Sequence, residues 1–235
     1  TTLQTLLGDI SLTASKAGGT AGGIVLNSAS ALKSFGGNIT LGGGYTGTLG
    51  AGLYSATANA PGVSMTSNTI DAAGGNINIY GKNTASYDDG VRINGSTITT
   101  SGTGGIGIYG DAYGGNNGST VFGGITFYET AAKIETDQGN ISLGAYLTNT
   151  QSSSTAALNF YRTNGGAGYT RHIQIVSKSG DINITADRGT TTGTGIFMYS
   201  WGNVYLGSPL DASYTATGDV VLTYQNSNLA AGNGI

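Results

Sequence analysis

The sequence predicts an all-β chain wound as a right-handed parallel β-helix, and three observations carry that prediction. A short glycine-led word, Gly-[Asn/Asp]-[Ile/Val]-x-apolar, recurs along the chain. Apolar residues two apart recur at near-constant intervals between those words. Helical periodicity is nowhere sustained, because Gly-Gly pairs interrupt every candidate.

The word supplies the corners. It begins at Gly8 and Asp9, Gly37 and Asn38, Gly75 and Asn76, Gly139 and Asn140, Gly180 and Asp181, Gly202 and Asn203, and Gly218 and Asp219. A variant, GIGI from Gly105, lacks the Asn. At a sharp corner the chain often needs a positive φ, which Gly accepts freely and Asn or Asp tolerate best. The Asx side chain also bonds backbone groups that the bend leaves unpaired, so stacked corners are expected to form a hydrogen-bonded ladder.

The sides come next. Ile24 and Leu26, Leu32, then Ile39 and Leu41 make one copy, and Val63 and Met65, Ile70, then Ile77 and Ile79 make the next. Two further copies run Val91, Ile93, Ile98, Ile106, Ile108 and Ile125, Phe127, Ile134, Ile141, Leu143. The steps from first strand to middle residue are 8, 7, 7 and 9, and from there to the last strand 7, 7, 8 and 7. Apolar residues two apart mark a strand buried on one face. Three such sides make a core coil of about 20 residues, stacked on its neighbour at about 4.8 Å. The expectation is about 8 to 11 coils with loop insertions, in one β-helix domain over 1–235 that is a segment of a longer chain or a fibre subunit. Ile, Leu and Val fill the inside, while Asn, Thr and Ser point out. The connections are polar, the longest running over 43–62, 110–124 and 144–172, and AALNFYR (156–162) is expected to add a strand.

Composition excludes several functions. The chain has 43 Gly and only 9% charged residues, against a usual share of about 25%. Yet 38% of it is hydrophobic, which a flexible glycine linker is not. A net charge of −3 and scattered Lys and Arg leave no basic face for nucleic acid or anionic lipid. No apolar run approaches the roughly 20 residues of a membrane span, so no membrane insertion is expected. The absence of Cys excludes disulfides, thiolate chemistry and Cys-type zinc sites, and no cofactor is expected.

The pentapeptides GDISL, GNITL, GNINI, GNISL and GDINI, with extensions such as GDISLTA and GDINITA, resemble the β-helical shaft repeats of filamentous haemagglutinin-like exoproteins, large adhesins exported by two-partner secretion. The resemblance covers essentially the whole chain. It implies an extracellular or outer-surface bacterial protein that works as a non-catalytic shaft, adhesin or matrix fibre. The Asn-Pro-Asn-Gly motif of that family's secretion domain is absent, so the resemblance points to shaft. Expected partners are a glycan or host-cell receptor, and a continuation of the same chain or end-to-end copies.

A second function class is a carbohydrate-active β-helix of the lyase or hydrolase type, with an acidic loop site. Glycosidases need paired carboxylates and lyases a Ca²⁺ cluster. Asp88 and Asp89 in one connection, with Asp111 from the next, are the weak metal candidates. His172 is the single histidine, and no catalytic set assembles around it. The remaining candidates are tyrosines that follow strand pairs: Tyr80, Tyr109, Tyr128 and Tyr199. If the isoleucines face inward these rings face outward, as a sealing ladder or as an aromatic strip for sugars or a neighbouring subunit.

Overall fold

The computed structural model describes residues 1–14, 23–42, 54–55, 61–83, 88–112, 115–116, 121–147, 156–161, 172–189, 194–199, 203–207 and 215–225. Among them no helix forms, and three parallel sheets run the length of the molecule. Sheet I stacks Thr2–Gln4, Ala31–Lys33, Thr69–Asp71, Thr97–Thr100, Ala132–Thr136, Ile173–Ser177 and Val204–Leu206. Sheet II stacks Ile10–Leu12, Ile39–Leu41, Ile77–Asn83, Ile106–Ala112, Ile141–Leu147, Ile182–Asp187 and Val220–Gln225. Sheet III stacks Ile24–Leu26, Val63–Thr66, Val91–Asn94, Ile125–Tyr128, Ala156–Tyr161 and Thr194–Tyr199. The chain visits I, II and III in turn and returns to I one level higher. This is a parallel β-helix.

The register aligns the apolar residues that the spacing picked out. Ile10, Ile39, Ile77, Ile106, Ile141 and Ile182 form one inward column of sheet II. Leu32, Ile70, Ile98, Ile134 and Ile175 form that of sheet I. Phe127 and Phe160 stack inside sheet III with centroids 5.1 Å apart. These columns are the continuous buried core, whose apolar burial is the main driving force for folding.

Seven levels are described in sheets I and II, against the 8 to 11 coils expected. Within the 144–172 connection AALNFY forms the expected strand, which enters sheet III directly above Ile125–Tyr128. A short antiparallel pair, Gly115–Asn116 with Val121–Phe122, lies within one such connection.

The corners between sheets I and II hold together differently from the simple bend. The corner glycines do not carry the positive φ; in two corners it falls one residue earlier, on Gly36 (110°) and Gly74 (119°). What excludes a side chain at Gly75 is the level below. A Cβ there would stand 2.0 Å from the Gly37 carbonyl oxygen, and one at Gly139 would stand 1.9 Å from that of Gly104. The corner column must be glycine because successive turns of backbone pass too close for anything else.

Nor do all the hydroxyls face out. Ser34, Thr100, Thr136 and Ser177 are buried at the ends of the sheet I strands. Thr100 Oγ1 donates to the Gly75 carbonyl at 2.7 Å, Ser177 Oγ to that of Gly139 at 2.9 Å, and Ser34 Oγ to that of Gly37. Each satisfies a carbonyl that the corner turns away from the sheet ladder.

Candidate functional site

Outside the corners a ladder of Asx side chains climbs sheet II. The backbone N–H of each corner residue donates to the side-chain oxygen one level below. Asn38 donates to Asp9 at 2.7 Å, Asn76 to Asn38 at 2.9 Å and Gly105 to Asn76 at 2.8 Å. Above them Asp181 donates to Asn140 at 2.8 Å and Asp219 to Asp181 at 3.0 Å. One rung is missing, because Gly105 offers no side-chain oxygen to the N–H of Asn140. Asn203 is not part of this column. Its strand, Val204–Leu206, belongs to sheet I, and Asn203 sits at the corner leading from sheet III, where its N–H meets His172 Nδ1 at 3.4 Å. The pentapeptide marks a strand start of either sheet, so the word alone did not separate the two; Gly202 lies outside the described residues.

The candidate tyrosines fall on two faces. Tyr80 and Tyr109 are paired on sheet II, and their rings stack at 5.4 Å and 13°. Tyr128 lies on sheet III, stacked at 5.9 Å on Tyr161, and Tyr199 is next in that register, its side chain outside the described residues. On sheet II the ring of Tyr109 leans over two glycines. A Cβ at Gly107 would lie 2.9 Å from Tyr109 Cε2, and one at Gly144 would lie 2.7 Å from Tyr109 Cδ1 and 2.9 Å from Tyr146 Cε2. Beside the Tyr109 phenol, where Gly105 and Gly107 leave two consecutive outward positions bare, a notch of about 240 Å³ opens between Asn76, Asn78, Asn140 and Ser142. The missing rung lies in this notch.

The acidic candidates part company. Asp111 is on sheet II and pairs with Lys82 at 2.8 Å. Asp88 and Asp89 are fully buried (0% exposed) at the entrance to sheet III. Arg92, on the strand that follows, grips both: Nε to Asp89 Oδ2 at 2.6 Å and Nη2 to Asp88 Oδ1 at 2.7 Å. Its guanidinium also lies over the rings of Phe122 and Tyr128, 5.6 and 5.4 Å from their centroids. Asp89 Oδ1 accepts from Gly123 N–H at 2.9 Å and from Thr126 Oγ1 at 2.5 Å, and Asn159 Nδ2 donates to Thr126 at 3.3 Å. Burial lifts the Asp88 carboxyl to about 7, against the pull of Arg92. The network ties Asp88, Asp89, Phe122 and Gly123 to the outer face of sheet III. Among the described residues no three His, Asp or Glu side chains converge as a cation site.

Arg92, Thr126 and Asn159 were not singled out by the sequence. The signal was there for Arg92, which stands three and four residues beyond two acids in DDGVR. Nothing local marks Thr126 and Asn159, which reach the cluster from the next two levels. Comparison with known proteins finds no matching family model, no matching curated protein and no matching solved structure.

Proposed function

We propose that this chain is a segment of the shaft of an extracellular adhesive fibre on a bacterial surface, with a structural and binding role and no catalytic one. The observation that carries it is the repetition of one corner through the stack: the same glycine column, buried hydroxyls and Asx ladder recur as the rod climbs. Such a stack gains length without changing cross-section, as solenoids do. The resemblance of the GDINITA-type words to filamentous haemagglutinin-like shafts points the same way.

The test has two arms. Beads coated with the purified chain are expected to adhere to host cells above the level of albumin-coated beads. Electron microscopy is expected to show short rods with a core about 30 Å long for seven levels at strand spacing, or multiples of it. Globular particles without adhesion would refute the proposal.

One observation favours a second reading, a polysaccharide-cleaving enzyme: two carboxyls lie side by side, and burial pushes that of Asp88 up to about 7. Against it, both carboxyls are wholly buried and held by Arg92. Turnover of a neutral or acidic polysaccharide that disappears in Asp88→Asn would establish this reading instead.

A further inference from the structure

We infer that the notch beside Tyr109 binds one pyranose unit of an uncharged glycan, and that a sugar hydroxyl supplies the missing rung of the corner ladder. This goes beyond the shaft proposal, which stands or falls separately.

The broken rung is the starting point. At the other stacked corners an Asx oxygen receives the N–H of the level above. At residue 105 the side chain is absent. The point where its Cβ would stand lies 3.8 Å from Asn140 N, 3.1 Å from Asn140 O and 3.6 Å from Asn76 Oδ1. A ligand atom stands farther out than that point, which is one bond from Gly105 Cα, and it faces the Asn140 N–H and two oxygens that each already accept once, Asn140 O from Ile106 N–H and Asn76 Oδ1 from Gly105 N–H. A hydroxyl answers both demands, accepting from the Asn140 N–H while donating to one of the oxygens. A carboxylate or phosphate oxygen would accept from the N–H and meet two lone-pair oxygens with nothing to give.

The lining selects the same chemistry. Asn76, Asn78, Asn140 and Ser142 offer amides and a hydroxyl, and no charged side chain lines the notch. Nothing there compensates a ligand charge, so the site suits a neutral polyhydroxylated ring rather than a uronic or sialic acid. The notch is mainly polar, and Tyr109 borders it. The Tyr109 ring is fixed from behind by Tyr80 and seated over Gly107 and Gly144, so little side-chain freedom is lost on binding. The volume of about 240 Å³ is below that of sites for drug-sized ligands and admits a single ring, with the open side left for the rest of a chain. Gly105 and Gly107 make the vacancy, and the corner word elsewhere in this column carries Asn or Asp where Gly105 stands.

The test titrates the ¹⁵N-labelled chain with methyl β-glucoside, methyl β-galactoside and methyl α-mannoside, with sialyllactose as an anionic control. For at least one neutral glycoside, the Asn140 backbone N–H and the Asn78 and Ser142 resonances are expected to shift in a saturable way, at millimolar concentrations typical of a single ring. Gly105→Asn is expected to fill the vacancy, restore the rung and abolish the shifts. Ser142→Ala, which leaves the corner untouched, is expected to weaken binding about 5-fold or more, so that a Gly105→Asn chain that misfolds leaves the test intact. Saturable shifts at Asn140 in Gly105→Asn equal to those of the parent would overturn the inference. So would shifts with sialyllactose alone, no shift with any neutral glycoside, or a Ser142→Ala chain that binds as the parent does.

Discussion

The outer faces of sheets II and III sit on the same columns of inward isoleucine, leucine and valine, yet they treat polar groups in opposite ways. On sheet II the polar row of Asn78, Ser142 and Asn183 meets solvent, and the tyrosines lie against the sheet as a partial cover. On sheet III the corresponding residues Thr126 and Asn159 are fully buried, and two carboxylates are buried with them and held by Arg92. The first face leaves its polar groups in water, where each can change at small cost. The second has enclosed charge, and enclosed charge ties its parts together, since any member left alone is stranded without water.

The sharpest way to break the contrast is to remove Arg92. Arg92→Ala is expected to cost about 3–5 kcal/mol in chemical denaturation at pH 7.5, because Asp88 and Asp89 lose their cation while buried. A cost below about 1 kcal/mol would mean that this face is as permissive as sheet II.

The pH dependence comes next. Asp88 titrates near 7 in the folded chain and at its ordinary 3.8 when unfolded. Between those values the folded chain binds the extra proton, so stability is expected to fall as pH rises from about 4 to about 7 and then to level off. Asp88→Asn, which mimics the protonated carboxyl, is expected to remove most of that slope. Denaturation midpoints across pH 4–9 for the two proteins measure the difference.

On sheet II the expected effects are smaller. Asn38→Ala deletes one rung and is expected to cost about 1 kcal/mol in the same assay, the worth of an ordinary hydrogen bond. Tyr80→Ala removes a stacked partner and is expected to cost about 0.5–1.5 kcal/mol beyond its buried area. The smallest effect is predicted for Lys178→Ala, in the corner just after the sheet I strand Ile173–Ser177. Its pair with Asp137 at 2.5 Å is largely exposed, and removing it is expected to change stability by less than about 0.5 kcal/mol.

The sequence made the inward columns legible because a strand buried on one face can place its apolar residues only two apart. Ile77 and Ile79 or Ile141 and Leu143 could not be disguised. The Asx ladder was readable for the same reason, since its members repeat at one point of every coil. Three things were hidden. Ser34, Thr100, Thr136 and Ser177 look like surface residues, and only the corner carbonyls beside them explain their burial. Tyr80 and Tyr128 follow similar apolar pairs, and nothing local says that they stand on different sheets. Asp88 and Asp89 read as a solvated loop, because what buries them comes from levels far along the chain: Gly123 and Thr126 are 34 and 37 residues beyond Asp89.

The ladder at the corners gauges the rod in levels and ignores residues. Its rungs join positions 29 apart in one coil and 41 apart in another, with side-chain oxygens 2.7 and 2.8 Å from their donors in both. Twelve extra residues leave no trace in the axial rise. A connection can therefore be lengthened, shortened or exchanged as a cassette while the framework above and below keeps its register. In such a molecule reach and display are separate variables. The number of coils fixes the first, and the contents of the connections fix the second.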